Sequence, residues 1–435
     1  MARKVFISFL GTNNYLETIY QFSDNTMSSP TRFIQEAIVA KLCTDWSEED
    51  QALIFCTEDS EKKNWYDDGH PQAIIDVEKK GLASKLEGLH LKINVQMIRI
   101  PEGFTTDEIW KIFDIVYDKL HRSDIVYFDV THAFRSIPFF STALFNYSRL
   151  MKDVEIASIQ YGAFEKLGPA FKVKDMPVEQ RIAPVLDLTN IARLHQYSDM
   201  ANSLTSFGRV NQISDTLKNF SEENVFIAQM QRWIETFDHY IVLNRMSEIK
   251  EGKWLININQ AIKKVRSSNL PQPIKTVINR FAEELRSFCP YPSNSNIEAA
   301  VEWAKKYAMI PNAYTMGQEY IISLLVDRFA NENPYVKEEA LSKREIKIQF
   351  RSFLSKVCGI ADDKPYKDDL KKYSDLTDKL LQDEAVRFIR PHYQEISRCR
   401  NIVNHAKSSE ITYDELVEVF DDHYYPCINK LKDVD

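Results

Sequence analysis

Residues 4–14 read Lys4-Val5-Phe6-Ile7-Ser8-Phe9-Leu10-Gly11-Thr12-Asn13-Asn14. Residues 4–10 form a β-branched and aromatic run, which is typical of a buried strand. The glycine and asparagines that follow predict the end of that strand and a loop. Further strand signals occur at 52–56, 93–100, 123–130 and 154–161, and helical signals alternate with them at 31–42, 106–120 and 136–151. This alternation predicts a largely parallel sheet with helices on both faces.

After Asp187 the pattern changes, because strand-like runs stop and apolar residues recur at helical spacing from Leu188 onwards. Proline-rich segments at 271–273 and 289–294 mark turns between helices. We predict an α/β domain over residues 1–187, a helical connector over 188–310 and a helical core over 311–435. The predicted fold class is therefore α/β plus all-α, with a Rossmann-like parallel-sheet domain followed by a helical domain.

The composition suits helix-rich folded domains and restricts their partners. The 435 residues are 44% hydrophobic and include 11 glycines, which favours helices over a loop-rich or all-β chain. A net charge of -8 disfavours stable binding to duplex DNA, although a local basic groove is compatible with it. The sequence shows no signal peptide and no segment of membrane-spanning length. We therefore expect a cytoplasmic protein with no membrane partner.

Cysteine usage and short motifs exclude further classes of protein. The six cysteines are scattered without a Cys-x-x-Cys pair, which is typical of reduced thiols in a cytoplasm. The sequence contains no His-Glu-x-x-His, no P-loop and no Gly-x-Gly-x-x-Gly. We therefore expect neither a metal site nor nucleoside-triphosphate chemistry.

Two loops of the α/β half follow predicted strands, and parallel sheets bind ligands at the carboxyl ends of their strands. The first loop contains Gly11, Thr12, Asn13 and Asn14. Glycine allows close approach of the backbone, and the polar side chains suit a phosphate, a ribose or a base edge. The alternative is an ordinary turn built from asparagine and glycine.

The second loop runs from Asp129 through Thr131, His132, Arg135 and Ser136 into a predicted helix. Ser136 suits an N-cap, and a helix N-terminus presents free N–H groups to anions. Arg135 can clamp a phosphate or stack on a base. The alternative is a salt bridge from Asp129 to Arg135, with His132 as a turn residue. Because both loops follow strands, we favour one ligand site made from the two.

Arg400, Asn401 and His405 lie in a helical run near the end of the sequence. An arginine fork binds phosphate oxygens and a histidine titrates near neutrality, which are the groups that metal-free RNA cleavage needs. Asn401 and His405 share a helix face, whereas Arg400 lies about 140° around the helix from His405. We therefore expect two copies of the helix to face each other. The alternative is that Arg400 and His405 cap the helix or form salt bridges, for instance with Glu395 or Asp383.

Arg387 and His392 have the same spacing as Arg400 and His405. Pro391 lies within that second interval and predicts that a helix starts or kinks there, so we interpret Arg387 and His392 as structural. Arg398 lies close enough to His405 in sequence to be an auxiliary RNA contact.

The N-terminal segments resemble the CARF domain of the type III CRISPR ancillary ribonucleases. The similarity lies in the first strand with Gly-Thr-Asn-Asn-Tyr at 11–15, the loop Asp-Val-Thr-His-Ala-Phe-Arg-Ser-Ile-Pro at 129–138, and the segments 161–165 and 184–189. One departure is Ala133, where the family commonly has glycine, and this bears on the geometry of the second loop.

The C-terminal segment is similar to the HEPN nuclease motif of the same ribonucleases. That motif is an arginine, often followed by asparagine, and a histidine four to six residues later, which Arg400, Asn401 and His405 match. The order of a CARF domain followed by a HEPN domain also matches. The resemblance is weakest over residues 192–307, where we recognise helices alone.

The resemblance implies a sensor joined to an effector. The CARF half would bind a cyclic oligoadenylate, either tetra- or hexa-adenylate, as an allosteric activator. The HEPN half would then cut single-stranded RNA without a metal, with Arg400, His405 and Asn401 as catalytic residues, and would leave a 2′,3′-cyclic phosphate and a 5′-hydroxyl. Family members form homodimers or dimer-based higher oligomers, and a symmetric ring ligand suits a two-fold interface.

Two alternatives stay open on the sequence. In one, the protein senses a nucleotide second messenger and its helical half binds partners without catalysis. In the other, the CARF site also cleaves its ring ligand, with Thr12, Thr131 or His132 positioning a ribose hydroxyl.

Overall fold

The computed structural model describes residues 2–70, 79–132, 137–221, 224–337, 341–360, 365–405 and 411–432. It divides into two compact units, Met1–His195 and Gln196–Asp435. The first unit is built on a mostly parallel sheet and the second is helical, which confirms the predicted fold class. The domain boundaries predicted at 187/188 and 310/311 stay predictions.

Seven strands form the sheet that the structure describes in the first unit. They are β1 (Lys4–Leu10), β2 (Ile19–Gln21), β3 (Gln51–Cys56), β4 (Asn94–Arg99), β5 (Ile125–Asp129), β6 (Glu155–Gly162) and β7 (Ile182–Asp187). Their order in the sheet is β2-β7-β6-β5-β1-β3-β4, and every neighbouring pair is parallel except β6 with β7. The sequence pattern did not predict β2 and β7, because β2 is very short and Pro184 in β7 argues against a strand.

Helices cover both faces of the sheet, as the alternating pattern predicts. They are α1 (Ile34–Leu42), α2 (Glu58–Ser60), α3 (Leu82–Glu87), α4 (Thr106–Lys119), α5 (Ile137–Lys152), α6 (Ala170–Val173) and α7 (Thr189–Ala192). Along β1, Val5 and Ile7 pack with residues of α4 and α5. Phe6 and Leu10 pack with residues of α1 and α3 on the other face. This two-residue period is what a strand buried on both sides requires.

Local hydrogen bonds explain where the first helices begin. Helix α1 starts at Ile34 rather than at Thr31 as predicted, because the Thr31 backbone exchanges two hydrogen bonds with Thr18 (2.9 and 3.1 Å). Helix α4 starts where predicted, since the Thr105 hydroxyl accepts a hydrogen bond from the Glu108 N–H at 3.2 Å and caps the helix.

The second unit packs its helices around one apolar core. The helices are α8 (Leu194–Phe207), α9 (Asn211–Ser221), α10 (Val225–Val242), α11 (Met246–Glu251), α12 (Lys253–Arg266), α13 (Gln272–Glu284), α14 (Asn294–Lys306), α15 (Ile310–Arg328), α16 (Lys343–Gly359), α17 (Asp368–Lys372), α18 (Ser374–Gln382), α19 (Glu384–Asn404) and α20 (Tyr413–Lys432). Helix α19 packs against α15, α16, α18 and α20. These neighbours hold in place the helix that carries the arginine–histidine motif.

Helix α19 runs through Pro391, so the prediction of a helix start there is wrong, while the alternative of a kink stays a prediction. Its N-cap is Asp383, whose carboxylate accepts a hydrogen bond from the Val386 N–H at 3.1 Å. Proline removes a single N–H from the helix, while Ile389 and Tyr393 on either side are buried in the core. Burial of both flanking turns keeps the helix continuous through the proline.

Candidate functional sites

The two predicted ligand loops leave neighbouring strands at the same edge of the sheet. β1 and β5 are parallel neighbours, and Ser8 lies opposite Asp129. β3 and β4 lie on one side of β1, and β5 and β6 lie on the other. A sheet whose strand order reverses in this way has a crevice outside the carboxyl ends of the strands at the reversal. Gly11–Asn14 and Thr131–His132 both lie there.

A buried carboxylate fixes the start of the second loop. One oxygen of Asp129 accepts hydrogen bonds from the Thr131 N–H (2.9 Å) and the Thr131 hydroxyl (2.5 Å). The other accepts one from the Ser8 hydroxyl at 2.7 Å. Burial raises the pKa of Asp129 above its usual value, although the hydrogen bonds from Thr131 and Ser8 oppose that shift. Asp129 is therefore a scaffold for Thr131 and links β5 to β1.

The same arrangement occurs a second time, on the other side of β6. Thr131 Oγ1 also accepts a hydrogen bond from the Gly162 N–H at 2.8 Å. At the end of β7, Asp187 accepts hydrogen bonds from the N–H (2.9 Å) and hydroxyl (2.5 Å) of Thr189, and Thr189 Oγ1 accepts one from the Ile159 N–H at 2.9 Å. Each Asp-x-Thr turn thus joins its strand end to β6, and the turn at Asp129 is the one beside the β1 loop.

The first loop is held by a side chain that the sequence reading did not select. Asn64 lies in a π-helical turn, Glu61–Trp65, after β3. Its Nδ2 donates hydrogen bonds to the carbonyl oxygens of Gly11 (2.8 Å) and Asn13 (3.0 Å). Asn13 and Asn14 are exposed and Thr12 is half-buried. The loop backbone is fixed, while its polar side chains face outwards.

His132 and Tyr15 form the centre of the crevice. Their rings are stacked, with centroids 4.2 Å apart and planes inclined by 27°. Burial lowers the pKa of His132 to about 4, so its imidazole is neutral at pH 7. A neutral imidazole keeps one nitrogen as an acceptor and one as a donor.

Three buried polar atoms around the first loop have no hydrogen-bond partner among the described residues: His132 Nε2, Asn64 Oδ1 and His70 Nε2. His70 also forms a hydrogen bond with the Asn13 backbone, although burial lowers the pKa of His70. Buried polar groups in folded proteins nearly always have a partner, which can be an ordered water or a ligand. These three atoms are therefore available to a water or a ligand in the crevice.

The structure brings most of the predicted ligand residues together. Gly11, Thr12, Asn13, Asn14, Thr131 and His132 lie at the one edge of the sheet. Arg135 and Ser136, like Ala133, lie outside the described residues, so their predicted contacts stay predictions. The sequence prediction included Tyr15 in the first loop without giving it a role, and it did not select Asn64 or His70. Asn64 and His70 follow β3. The criterion that selected the first two loops, polar residues after a parallel strand, would also have selected these two residues.

The arginine–histidine motif lies at the C-terminal end of α19. His405 is the C-cap residue, and its N–H donates to the Asn401 carbonyl oxygen at 3.2 Å. His405 is exposed, and Arg400 and Asn401 are half-buried. Arg400 Nη1 lies 3.5 Å from Asn401 Oδ1.

The carboxylates proposed as alternative partners of the motif have other partners. Glu395 accepts a hydrogen bond from Arg398 at 2.7 Å, and Asp383 pairs with Arg328 at 3.6 Å. Within the described part of the chain, Arg400 Nε is buried without a hydrogen-bond partner. The arginine is therefore not committed to either of those carboxylates.

His392, the histidine of the second spacing match, contacts another histidine. Its Nδ1 lies 2.9 Å from Nδ1 of His423 on α20, and its ring packs on Phe388 with centroids 5.2 Å apart. Burial, and then the neighbouring His423, lowers the pKa of His392. Arg387 is exposed on the same helix. These contacts agree with a structural interpretation of His392.

Comparisons with known proteins connect the chain to CRISPR-associated proteins. Residues 193–294 match the family model described as CRISPR-associated protein MJ1674, second domain. The curated CRISPR-associated protein MJ1674 of Methanocaldococcus jannaschii is 30% identical over 155 residues, which are 35% of this chain and 22% of that protein. The chain thus matches about a fifth of that relative's length. These two matches confirm the resemblance to CRISPR-associated proteins.

One solved structure is similar over nearly the whole chain. Enterococcus italicus Csm6 bound to cyclic hexa-2′-fluoro-hexa-dAMP matches 99% of this chain and 94% of its own, at 11% identity and a TM-score of 0.46. A likeness of that degree says nothing about the ligand or activity of this chain. Across the described residues, every helix is too short or too polar to cross a lipid bilayer.

Proposed function

We propose that this protein is a cyclic-oligoadenylate-activated endoribonuclease that cuts single-stranded RNA without a metal in type III CRISPR antiviral defence. The observation that carries the proposal is the convergence of Gly11–Asn14 and Thr131–His132 at the strand reversal of a Rossmann-like sheet, in a chain whose α19 ends in Arg400, Asn401 and His405. The similarity to CRISPR-associated protein MJ1674 supports the defence context.

The first unit would bind the cyclic oligoadenylate at the crevice between β1 and β5. Thr12, Asn13 and Asn14 offer donors and acceptors at its exposed side, and Thr131 and His132 at its inner side. The His132 ring provides a flat face for a base, and its Nε2 provides a hydrogen-bonding atom. Arg135 and Ser136, on the sequence, would add a phosphate contact and a helix N-terminus.

The end of α19 would carry out the cleavage. RNA contains its own nucleophile, the 2′-hydroxyl, so the protein must stabilise the developing charge and move two protons. Arg400 would hold non-bridging phosphate oxygens, and His405 would act as general acid or base. Asn401 would orient the phosphate or the imidazole from the same face of the helix as His405. The products would be a 2′,3′-cyclic phosphate and a 5′-hydroxyl.

One copy of α19 does not aim both groups at one phosphate, because Arg400 and His405 are about 140° apart around the helix. Two copies related by a two-fold axis bring two arginines and two histidines to one cleft. The protein would therefore act as a homodimer or as a higher oligomer built from dimers. The exposure of His405 leaves it available to a second subunit.

An RNA cleavage assay tests this function. A fluorescent single-stranded reporter is incubated with the protein and cyclic tetra-adenylate, cyclic hexa-adenylate or no ligand, each in excess EDTA. We expect cleavage with one of the two rings and little without them. Cleavage that appears only after Mg²⁺ is restored would contradict the metal-free mechanism. Equal cleavage with and without both rings would contradict activation.

A second candidate function is supported by the environment of Arg400. Because Arg400 Nε is buried and Arg400 is only half-exposed, the helical unit could serve as a binding module for a partner rather than as a nuclease. In that case the protein is a nucleotide second-messenger sensor. Binding of a cyclic oligoadenylate, measured by calorimetry, with no loss of reporter RNA would favour this function.

A further inference from the structure

Tyr15 lies directly after the first loop and turns back over it. Its ring stacks on His132 with centroids 4.2 Å apart, and it meets Phe33 edge-on at 6.1 Å. Arg32 Nε donates a hydrogen bond to the Tyr15 carbonyl oxygen at 3.2 Å, which fixes the backbone at this residue. The side chain thus fills space between the two strand-end loops, and it does so through contacts with residues of both.

The phenolic oxygen of Tyr15 points at the backbone of the first loop. A Cβ atom built on Gly11 would lie 2.3 Å from that oxygen, so only a glycine accommodates the tyrosine in this position. The backbone of Asn13 and Gly11 favours the anionic form of the phenol, although burial raises the pKa of Tyr15 overall. The phenolic oxygen therefore lies against the backbone of a loop that follows a parallel strand, a place where such loops bind phosphate.

Tyr15 places an aromatic ring on the imidazole and an oxygen against the backbone of the first loop. A nucleotide has the same two parts, an aromatic base and phosphate oxygens. A base would stack on His132 as the Tyr15 ring does, and a phosphate oxygen would take the place of the phenol. The partnerless atoms His132 Nε2, Asn64 Oδ1 and His70 Nε2 lie around the same loop. Tyrosine carries one hydroxyl and leaves them unpaired among the described residues, whereas adenine has both donors and acceptors on its edges.

We propose that Tyr15 occupies the place that one nucleotide of the cyclic oligoadenylate takes, and that the ligand binds by displacing the Tyr15 side chain from His132 and Gly11. This inference rests on the proposed ligand-binding function and adds an intramolecular competitor to it. With such a competitor, the apparent affinity equals the intrinsic affinity multiplied by the fraction of molecules whose binding site is free. Tyr15 would thereby set the ligand concentration at which the protein responds.

Two substitutions test the displacement in different ways. Tyr15→Ala removes the competitor, and Gly11→Ala keeps the tyrosine but places a methyl group where its hydroxyl lies, so both should free His132. The far end of a tyrosine side chain moves easily, and the methyl group would lie 3.5 Å from His132 Cβ, which is ordinary contact. Tyr15→Phe keeps the stacked ring and should behave more like the parent protein.

The first measurement needs no ligand. The pKa of His132 is followed by NMR titration of the full-length chain, with assignment by comparison to a His132→Gln variant. We expect the pKa to rise from about 4 towards the ordinary value of about 6.5 in both Tyr15→Ala and Gly11→Ala. Gly11→Ala leaves the neighbouring titratable groups Tyr15, Asp129 and His70 in place, so a rise there reports the uncovering of His132. A pKa that stays near 4 in both variants overturns the proposal.

The second measurement is the affinity for cyclic tetra-adenylate and cyclic hexa-adenylate by calorimetry. We expect Tyr15→Ala to bind the preferred cyclic oligoadenylate about tenfold more tightly than the parent protein. The reason is that the stacked and buried Tyr15 side chain no longer competes with the ligand. The control Tyr291→Ala removes an exposed tyrosine of the helical unit and should leave the affinity unchanged.

The outcomes separate the two proposals. If Tyr15→Ala binds more weakly than the parent protein, Tyr15 is a direct ligand contact and the displacement proposal is wrong, while ligand binding itself stands. If the parent protein binds neither cyclic oligoadenylate, the proposed ligand class is wrong. The proposal that a nucleotide displaces Tyr15 is then wrong as well. Tighter binding together with a raised His132 pKa supports both.

Discussion

The crevice between β1 and β5 and the end of α19 differ in how their polar groups are covered. In the crevice, Asp129, Asn64 and His132 are buried or half-buried, and Asp129 and Asn64 form hydrogen bonds with Ser8 of β1 and Gly11 of its loop. At the end of α19, His405 is exposed. The polar groups of the crevice are therefore largely engaged within the fold, whereas the imidazole at the end of α19 is open to solvent. Under the proposed function, the helix end would need a second copy to form a catalytic centre.

The largest expected effect is at α19. We expect His405→Ala and Arg400→Ala each to lower the cleavage rate by about 10²–10⁴-fold, because a general acid–base group and a charge-stabilising donor each contribute at that level. The measurement is single-turnover cleavage of the reporter RNA with saturating activator. Ligand affinity should not change. The matched control is Arg387→Ala, since Arg387 lies on the same helix and has the same spacing to His392 as Arg400 has to His405. This variant should cut at the parent rate. Loss of cleavage in it would contradict the assignment of the site to Arg400 and His405.

A mixing experiment tests whether α19 needs a second copy. Arg400→Ala and His405→Ala subunits are combined after mild dissociation, and about half of random dimers then carry one of each. If the arginine and histidine that act on one phosphate come from opposite helices, the mixture regains cleavage to tens of per cent of the parent rate. A mixture as inactive as its components, in dimers shown to exchange by mass spectrometry, would assign both groups to one helix.

The contrast between the two regions also explains what the sequence could predict. Strand β1 and its loop were predictable because a continuous β-branched and aromatic run and the following Gly11 are local signals. The contacts of Asn64 with Gly11 and Asn13 join residues more than 50 positions apart, and no local pattern reports such a contact. Of the two alternatives predicted at Pro391, a helix start or a kink, the start was wrong for a similar reason, since buried Ile389 and Tyr393 override the local preference of proline.

The next prediction concerns the two Asp-x-Thr turns that flank β6. Thr131→Val removes the hydroxyl that donates to Asp129 and accepts from the Gly162 N–H. Leaving those groups without partners should lower the free energy of unfolding by about 2–4 kcal/mol. Because Thr131 lies in the crevice, the affinity for the cyclic oligoadenylate should also fall. The loss of one hydrogen bond corresponds to a decrease of about tenfold or more.

Thr189→Val is the matched control for Thr131→Val, because Thr189 makes the same bonds to Asp187 and the Ile159 N–H. It should lower stability by a similar amount in urea unfolding and leave ligand affinity unchanged. Equal loss of affinity in both variants would mean that the turns act through stability alone and that Thr131 has no special place in the ligand site.

The buried imidazole of His132 predicts a pH dependence of stability. Its pKa is about 4 in the folded protein and about 6.5 when unfolded, so the folded state binds fewer protons. The stability that follows from this difference is present above pH 6.5 or so and is lost as the pH falls towards about 4. Between about pH 6.5 and about pH 5, the parent protein should lose roughly 2 kcal/mol more than His132→Gln does.

Urea unfolding at several pH values, followed on the first unit's fluorescence, measures that difference. Asp129 has a raised pKa and contributes in the opposite sense, since its effect favours the folded state at low pH. Subtracting the His132→Gln curve cancels the Asp129 contribution. Parallel curves for the two proteins would show that His132 is solvated rather than covered.

The smallest expected effect is at Arg398, beside the proposed catalytic residues Arg400 and His405. Arg398 is exposed and its Nε donates to Glu395 at 2.7 Å, and such exposed pairs contribute little to stability. As an auxiliary contact to the RNA backbone, Arg398→Ala should weaken RNA binding a few-fold and reduce the salt dependence by about one charge. Glu395→Gln removes the competing carboxylate and should strengthen binding. Opposite signs in a fluorescence anisotropy titration would place RNA along this face of α19, and unchanged affinity in both would leave Arg398 and Glu395 as a surface ion pair.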